Sequence, residues 1–337
     1  MRCPSSTLVV FLAVLFCLDC QDPSDPPATS ATSQTPPGTP NGSPVFTFGA
    51  SMSEARSQPA AAVLDGIVYV AGGGDDDGAE WEGPASVLAY DPVRDTWRTA
   101  GQLVRPVAAA AMAAIGNRLY LVGGCPLDSA TSLQVFEPAT GQVTVGPPLP
   151  TPRCLPSVAV LGGRLHVIGG VHPGIDPDFP IWDDTEEHDI FDPGTGTWSV
   201  GAPMPHARSG HGAVTLDGKI YVAGGQGELL QVYDPATDAW TTYESPPARW
   251  GVATVAFEGT MYVVGGGEYQ TACCSGPIPS AVVQRFDPAT GVWDSVASLS
   301  AGRMSPAAAL VGRTIYVIGG SSTGGGALDL VELIRVP

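Results

Sequence analysis

The sequence predicts an all-β protein, a six-bladed propeller whose last blade is closed by a strand from the N-terminal side. Three observations predict it: a repeated apolar segment that ends in Gly-Gly, a two-residue turn inside each repeat, and a later aromatic-acid-Pro triplet. Repeats of about 50 residues are typical of propellers, in which each repeat folds as one four-stranded blade. The segments that end in Gly-Gly are residues 69–73, 120–124, 166–170, 221–225, 262–266 and 316–320.

Each repeat begins with two strands joined by a tight hairpin. A two-residue turn interrupts the apolar residues before every Gly-Gly segment, and such turns need residues that tolerate positive φ angles. Gly, Asp and Asn tolerate them best, so the first two strands are expected to be antiparallel neighbours. The turns are Asp65-Gly66, Gly116-Asn117, Gly162-Gly163, Asp217-Gly218, Glu258-Gly259 and Gly312-Arg313.

The third and fourth strands follow from the aromatic-acid-Pro triplet, in which Pro fixes the first φ angle of a turn. A Trp marks the fourth strand in four repeats, and Val143 takes its place in the second repeat. The triplets begin at Tyr90, Phe136, Phe191, Tyr233 and Phe286, and the tryptophans are Trp97, Trp198, Trp240 and Trp293. Gly-Gly combined with spaced Tyr and Trp resembles the kelch family, over nearly all of residues 45–337. The resemblance implies a kelch β-propeller.

The ring is expected to close through the N-terminal side of this domain. The sixth repeat supplies three strands, and Phe46 lies ten residues before Arg56, the spacing that separates Trp198 from Arg208. An open ring would expose unpaired strand edges. We therefore predict that residues 45–49 complete the sixth blade. The predicted blades are residues 50–97, 98–145, 146–199, 200–241, 242–294 and 295–337.

The N-terminal segment predicts export and a tether. Arg2 and an apolar stretch over residues 8–18 are typical of a signal peptide, expected over residues 1–20. Residues 21–44 are rich in Pro, Ser and Thr and predict a disordered linker. A Cys before such a linker resembles bacterial lipoproteins, in which the thiol is acylated, and Cys20 is the candidate. An ordinary secretory signal is the alternative. We expect a periplasmic or outer-membrane lipoprotein, or a secreted protein.

Charge narrows the classes of partner. The chain has 33 acidic against 15 basic residues and a net charge of -18. Such a charge repels phosphate backbones and anionic headgroups, so nucleic-acid binding is not expected and membrane contact would require a lipid anchor. Cations, basic proteins and neutral glycans remain as partners. We expect a monomer.

Export makes four cysteines candidates for disulfides. Cys125 follows the second Gly-Gly and Cys154 precedes the first strand of the next blade, so both belong to one face and to neighbouring blades. This geometry predicts a Cys125–Cys154 bridge. Cys273 and Cys274 are adjacent in another loop of that face and form the second candidate bridge, although a bond between neighbours requires strained peptide geometry. Intermolecular pairing and reduced thiols are the alternatives.

Two loops of the same face are strongly acidic. They follow the first and third Gly-Gly segments, and no basic residue interrupts their acidic stretches. Carboxylates are the ligands that Ca²⁺ prefers, but the ordered alternation of an established calcium loop is missing, so solvated acidic loops are the favoured interpretation. No other cofactor is predicted. The calcium candidates are Asp75, Asp76, Asp77, Asp183 and Asp184.

An arginine precedes the first strand of every blade, near the mouth of the central channel. These residues are Arg56, Arg105, Arg153, Arg208, Arg249 and Arg303. Guanidinium groups there would suit an anion, whereas strict repetition favours a structural role in tying neighbouring blades through backbone carbonyls or acids. The residues after the arginines differ between blades. Kelch modules that bind peptides line their pockets with these positions. The resemblance therefore implies the ligand-binding candidates Ser57, Arg208, Ser209, His211, Arg249 and Trp250.

The sequence thus predicts an exported kelch propeller that binds a protein or a glycan through the face with the acidic loops. No catalytic residue is predicted, because no Ser-His-acid arrangement follows from the spacing. The alternative is a carbohydrate-active enzyme, since exported six-bladed kelch proteins that open and close sialic acid rings resemble this chain. Its site would combine Arg208 or Arg249 with Glu244 or His211. His166 replaces the usual Tyr of a second strand and is expected in the core.

Overall fold

The computed structural model describes residues 47–74, 83–173, 183–246, 249–268 and 277–336. Their strands are β1 (Thr47–Gly49), β2 (Ala60–Leu64), β3 (Ile67–Ala71), β4 (Ser86–Asp91), β5 (Thr96–Gln102), β6 (Ala111–Ile115), β7 (Arg118–Val122), β8 (Leu133–Glu137), β9 (Gln142–Val145), β10 (Ser157–Leu161), β11 (Arg164–Ile168), β12 (Val171–His172), β13 (Asp183–Asp184), β14 (His188–Asp192), β15 (Thr197–Val200), β16 (His211–Leu216), β17 (Lys219–Gly224), β18 (Leu229–Asp234), β19 (Ala239–Glu244), β20 (Trp250–Phe257), β21 (Thr260–Glu268), β22 (Ile278–Pro279), β23 (Val282–Asp287), β24 (Val292–Ser298), β25 (Ala307–Val311), β26 (Thr314–Ile318) and β27 (Val331–Arg335). One turn of 3₁₀ helix spans Leu127–Ser129.

The strands form six antiparallel blades. Blades 1 to 6 consist of β2–β5, β6–β9, β10–β11 with β14–β15, β16–β19, β20–β21 with β23–β24, and β25–β27 with β1. Two short additions extend this plan: β12 pairs with β13 beyond blade 3, and β22 pairs with β21. The all-β, six-bladed propeller predicted from the sequence is confirmed.

The ring closes in blade 6. Strand β1 lies antiparallel to β27, with Thr47 opposite Leu333 and Gly49 opposite Val331. The first strands contact each other all the way round, in the order β2, β6, β10, β16, β20, β25 and back to β2. The predicted closing strand is therefore confirmed over Thr47–Gly49, and residues 45 and 46 lie outside the described residues.

Six apolar clusters hold the blades together, one between each neighbouring pair. The repeated aromatic residues of the sequence explain them. A second-strand Tyr packs on the third-strand aromatic ring of the next blade, as Tyr316 does on Tyr90 with ring centroids 5.7 Å apart. That ring in turn packs on the Trp of its own blade, as Tyr90 does on Trp97. The repeated aromatic residues thus bury an apolar layer between blades, the main driving force for the closed ring.

The Gly-Gly doublets sit where neighbouring blades touch. In blade 3, Gly169 and Gly170 have φ angles of 56° and 105°, which favour glycine. A Cβ atom on Gly169 would lie 2.7 Å from the carbonyl oxygen of Arg208 in blade 4. The N–H of Gly170 donates to that same carbonyl at 2.9 Å. A side chain at Gly169 would push the two blades apart, and one at Gly170 would collide with the carbonyl oxygen of Cys154 in its own blade, 2.6 Å away.

Residues 1–46 lie outside the described residues, so the signal peptide, the tether and the acylation of Cys20 stay predictions. Among the residues that are described, no helix is long and apolar enough to cross a membrane.

Candidate ligand-binding site

The two faces of the ring differ. One, the hairpin face, carries the tight turns that join strands 1 to 2 and 3 to 4 of each blade. The other, the loop face, carries the connections from strand 2 to strand 3 and from each blade to the next. The described parts of the loop face are residues 50–59, 72–74, 83–85, 103–110, 123–132, 146–156, 169–173, 183–187, 201–210, 225–228, 245–246, 249, 265–268, 277–281, 299–306 and 319–330.

Five arginines occupy one equivalent position where the chain leaves the loop face for the first strand of a blade. Each is nearly or completely buried, with at most 4% of its surface exposed. Burial lowers the pKa of Arg153, Arg208 and Arg249 to about 10, which leaves all three charged at neutral pH. The five are Arg56, Arg153, Arg208, Arg249 and Arg303.

The prediction that Arg105 is the sixth member was wrong. Arg105 is exposed, and its Nη1 donates to the carbonyl oxygen of Asp128 at 3.0 Å. Buried Val107 takes the equivalent position. Each of the five buried arginines lies nine residues before the hairpin turn of its blade, as Val107 lies nine before Gly116, whereas Arg105 lies eleven before it. Counting back from the turns would have identified Val107.

The guanidinium groups bind their own blade. In blade 4, Arg208 Nη1 donates to the carbonyl oxygens of Gly224 at 3.0 Å and Leu229 at 2.9 Å, where β17 ends and β18 begins. In blade 5, Arg249 Nη1 donates to the corresponding carbonyls of Gly265 and Val282. Each side chain thus joins the second strand to the third. The expectation that these side chains tie neighbouring blades was wrong.

The backbone of the same residues ties the blades instead. The second glycine of a Gly-Gly doublet donates its N–H to the carbonyl of the arginine in the following blade, at 2.8 to 3.0 Å. This bond is present at Arg56, Arg153, Arg208, Arg249 and Arg303. The repeated arginine therefore has two structural roles. Its side chain connects strands within one blade, and its backbone carbonyl connects that blade to the preceding one.

A second set of backbone bonds circles the channel mouth. Two positions after each buried arginine, and after Val107, the chain adopts a positive φ angle. The N–H groups of these residues donate to the carbonyl of the preceding blade in five of six places: Gln58 to Ser305, Ser305 to Gly251, Gly251 to Gly210, Leu155 to Ala109 and Ala109 to Gln58. The bond from Gly210 to Leu155, between blades 4 and 3, is absent among the described residues.

The acidic partners of the buried arginines differ between blades. Arg56 pairs with Glu54 at 2.5 Å, Arg303 pairs with Glu332 at 2.7 Å, and Arg153 contacts Asp189 and Glu187. Within the described residues, neither Arg208 nor Arg249 has a carboxylate at ion-pair distance. Arg249 donates to the amide oxygen of Gln284 at 2.6 Å, and Arg208 Nε and Nη2 have no hydrogen-bond partner there. In blades 4 and 5 the nearest carboxylates among the described residues, Asp184 for Arg208 and Glu268 for Arg249, therefore act without a direct ion pair.

Three of the predicted site residues come together at blade 4. Arg208, Ser209 and His211 are all at least 95% buried, and both ring nitrogens of His211 are without a hydrogen-bond partner in the described structure. Asp184, from the β12–β13 hairpin of blade 3, reaches across to hydrogen-bond with Ser209. Burial raises the pKa of Asp184, and the bond to Ser209 and the charge of Arg208 act against that rise. A carboxylate, a cation and an imidazole thus meet between two blades.

The other predicted site residues lie apart from this group. Trp250 is 6% exposed and covers Gly210, where a Cβ atom would meet the indole ring at 2.5 Å. Ser57 is buried in blade 1, opposite blade 4 in a six-membered ring, and forms an isolated bridge with Gly74. Ser57 and Trp250 each pair with the residue that follows the Gly-Gly doublet of their own blade, and both are buried. The candidates consequently do not form one open pocket.

Two of the five calcium candidates lie within the described residues. Asp183 is exposed and Asp184 is half-buried, on the two-residue strand β13. Asp75, Asp76 and Asp77 lie outside the described residues. In the part of the chain that the structure describes, no three His, Cys, Asp or Glu side chains are grouped closely enough to hold a metal ion.

A disulfide joins Cys125 to Cys154, in agreement with the geometry expected from the sequence. The Cα atoms are 5.4 Å apart, and both cysteines are buried. The bond connects blade 2 to blade 3, packed against Val171. Cys273 and Cys274 lie outside the described residues, so their pairing stays a prediction.

The exposed charges separate by face. Seven acidic residues of the loop-face side are exposed: Asp128, Asp183, Glu186, Glu228, Glu244, Glu268 and Asp329. Arg105 is the exposed arginine among the described residues of that face. The hairpin face mixes its acids with exposed bases, namely Arg94, Arg118, Arg164, Lys219, Arg313 and Arg335. The loop face is therefore the more acidic of the two.

The groups expected for a sugar-acid enzyme are not assembled at the surface. Glu244 ends the outermost strand of blade 4, whereas Arg208 and His211 are buried at its innermost strand. Arg208 and His211 do lie close together, since the charge of Arg208 lowers the pKa of His211 further after the larger effect of burial.

The fold and the loop face define a class of protein, a β-propeller that presents variable loops on a rigid ring. Comparison with known proteins gives the family. The model of the KLHDC2/KLHL20/DRC7 Kelch-repeats domain matches residues 110–320, and that of the Kelch motif matches residues 55–103. The chain belongs to the kelch-repeat family.

The chain is similar to three curated relatives. Kelch-like protein 26 of Danio rerio is 30% identical over 56% of this chain and 31% of that protein. Kelch-like protein terF of Aspergillus terreus is 27% identical over 72% and 55%, and alpha-scruin of Limulus polyphemus is 33% identical over 42% and 16%. The chain thus spans about half or less of the length of these relatives.

A solved structure shares the fold. The structure of YjhT aligns with 85% of this chain and 97% of its own, at a TM-score of 0.71 and 18% identity. The kelch propeller fold is consistent with a protein-binding scaffold module.

Proposed function

We propose that this chain is an exported protein-binding module that holds a positively charged partner against its loop face. The observation that carries the proposal is the separation of exposed charge, with seven exposed acids and one exposed arginine on the described loop-face side. Complementary charge steers association and selects partners. Loops on a rigid scaffold are also the usual place for binding residues.

The sequence outside the described residues also supports an acidic loop face. Residues 75–82 contain five acids and residues 174–182 contain two, without a basic residue in either stretch. Both stretches belong by sequence to connections between a second and a third strand. The connections of blades 1 and 3 are therefore acidic in sequence as well.

The buried disulfide supports export. Disulfides persist in oxidising compartments and are rare where thiols are kept reduced. The bond between Cys125 and Cys154 is consistent with the signal peptide predicted for residues 1–20. Acylation at Cys20 would hold the propeller at a membrane on the linker of residues 21–44.

Binding to peptides of graded charge tests the proposed function. We expect the purified propeller to bind basic peptides in preference to neutral and acidic ones, and to lose affinity as salt rises, because exposed charges are screened. The measurement is biolayer interferometry on an array of peptides at low and high salt. Equal binding across the charge series, or preference for acidic peptides, would contradict the proposal.

Two alternative functions, glycan binding and sugar-acid mutarotase activity, can be tested by separate assays. A neutral glycan partner would bind on a glycan array without a salt dependence. The sugar-acid mutarotase predicts faster ring opening of sialic acid, lost in Arg208→Lys and His211→Val, and nothing in the described geometry favours it over the binding module.

A further inference from the structure

The histidines of this chain are concentrated in one region. All five lie between positions 166 and 211, in blade 3 and at the start of blade 4. Three of them, His166, His188 and His211, are at least 95% buried. All three lie where blade 3 packs on blade 4, which we call the 3–4 seam. Among side chains, imidazole has the ordinary pKa closest to mildly acidic pH. A cluster of buried histidines can therefore make the stability of this seam depend on pH.

Two of the buried imidazoles form a direct pair. His166 Nδ1 and His188 Nε2 are 2.8 Å apart, and His188 Nδ1 is 3.2 Å from the carbonyl oxygen of Ala202. Aromatic rings of blade 4 enclose the pair, with the Tyr233 ring centroid 4.7 Å and the Trp240 ring centroid 5.7 Å from that of His188. The pair thus occupies the aromatic layer between the two blades.

Hydrogen bonding fixes the protons of the neutral pair. The Ala202 carbonyl is an acceptor, so His188 carries its proton on Nδ1 and accepts at Nε2 from His166 Nδ1–H. One added proton is tolerated on the unprotonated Nε2 of His166, because His166 Nδ1–H still donates to His188 Nε2. A second added proton places two N–H donors of like charge 2.8 Å apart, and the bond between the rings is lost. Titration of one ring is therefore coupled to titration of the other.

His211 lies at the mouth end of the same seam. It faces Gly169 of blade 3, where a Cβ atom would meet its Cε1 at 2.7 Å, and it is adjacent to the buried cation Arg208. Neither ring nitrogen has a hydrogen-bond partner among the described residues. A protonated His211 would place a second cation beside Arg208, with the backbone at Ile168 favouring the charged ring.

Two of the connections described above are reduced in the 3–4 seam among the described residues. It lacks the backbone bond of the channel-mouth ring, from Gly210 to Leu155, that the other seams form. Its apolar cluster has six buried members, fewer than that of any other seam. These are Ala159, Ile168, Met204, Ile220, Val222 and Tyr233.

We propose that the 3–4 seam is an acid-sensitive joint, which opens locally when His166, His188 and His211 take up protons. Opening separates Asp184 of blade 3 from Ser209 of blade 4 and so changes the shape of the loop face at that point. The proposal is independent of the proposed function, since it concerns the stability of one seam and requires no ligand.

The net effect of the surroundings is to lower the pKa of all three histidines. Burial is the main cause that lowers the pKa of His166 and of His188 to about 4, and that of His211 to about 3. The cations Arg164, Arg153 and Arg208 each add to this effect at one ring. The backbone at Leu161, Ala202 and Ile168 and the carboxylate of Asp238 favour the charged rings. The phenol of Tyr233 faces the pair and donates to Asp238 at 2.8 Å.

The sign of the pH dependence follows from these directions. A histidine whose pKa is lower in the closed seam than in water stabilises the closed seam fully above its ordinary pKa of about 6.5. That stabilisation is lost as the pH falls from about 6.5 toward about 4. The equilibrium constant for opening the seam increases by up to about tenfold per pH unit for each proton taken up.

Hydrogen exchange of the full chain near pH 7 and near pH 5, corrected for the intrinsic rate, tests the joint. We expect protection in β11, β14, β16 and β18 to fall at least about tenfold more than protection in β2 and β25 of the opposite seam. Equal changes at the two seams would overturn the proposal.

Variants that restore the residues of the other blades identify the groups responsible. His166→Tyr and His188→Leu give blade 3 the residues found in other blades, such as Tyr120 and Leu133, and His211→Val gives blade 4 the residue of Val252. We expect the double variant and His211→Val each to reduce the acid effect, and the triple variant to abolish it. His206→Gln, at an exposed histidine, is the control and should behave as wild type. Acid sensitivity that persists in the double and single variants alike would contradict the assignment.

Discussion

Glu332→Leu is expected to destabilise the ring by about 3–5 kcal/mol, because it leaves the guanidinium of Arg303 buried without its carboxylate. Arg303 is fully buried, and Glu332 accepts from Arg303 Nη2 at 2.7 Å, from the Ser300 N–H at 2.6 Å and from Ser300 Oγ at 3.0 Å. The pair also lies in the blade that joins the two ends of the domain. The measurement is the free energy of unfolding in urea.

A charge-free variant is the control for this prediction. Blade 2 already carries Val107 at the position of Arg303, and blade 1 carries Leu88 at the position of Glu332. Arg303→Val combined with Glu332→Leu should therefore recover most of the loss, since replacing a whole buried ion pair by apolar residues is often neutral. A double variant as unstable as Glu332→Leu alone would show that the cost does not come from the unpaired charge.

Removal of the disulfide is expected to lower the free energy of unfolding by about 3–4 kcal/mol, the chain-entropy value for closing a loop of this length. Cys125 and Cys154 are 29 residues apart, and their bond joins two blades. The variant carries Cys125→Ala and Cys154→Ala, and chemical unfolding is compared with that of oxidised wild type.

Reduced wild type is the matched control, because it lacks the bond but keeps both side chains. It should be destabilised by a similar amount and regain stability on reoxidation. An Ala variant with the stability of the oxidised protein would mean that the bond does not constrain the unfolded chain.

The fold could be predicted because its determinants are local. A turn such as Asp65-Gly66, a Gly-Gly doublet and a Trp at fixed spacing each require one backbone geometry, and six repetitions remove ambiguity. Even the closing strand followed from a spacing, that of Phe46 to Arg56. The prediction for Arg105 was wrong because Arg105 lies only two residues before Val107, which takes the position of the buried arginines. Only the distance to Gly116 distinguishes the two residues.

The candidate site could be predicted less well because burial depends on partners far along the chain. Ser57 and Trp250 each follow a buried arginine, at a position whose residue type differs between blades. Each nevertheless pairs with the residue after its Gly-Gly doublet and is buried. The pair of His166 and His188 joins positions 22 residues apart on two strands, and no sequence spacing announces it. His166 was expected to be a packed core residue; it is buried, and it also binds a second imidazole.

The proposal that the loop face holds a basic partner is tested most directly by two variants that lose equal charge on opposite faces. One carries Asp183→Asn, Glu186→Gln and Glu268→Gln on the loop face, and the other carries Asp65→Asn, Asp217→Asn and Glu258→Gln on the hairpin face. All six side chains are exposed. We expect affinity for a basic peptide to fall about tenfold or more in the first variant and to stay within about twofold in the second, since electrostatic effects are largest at the contact. Equal losses in both variants, or a greater loss in the second, would contradict the account.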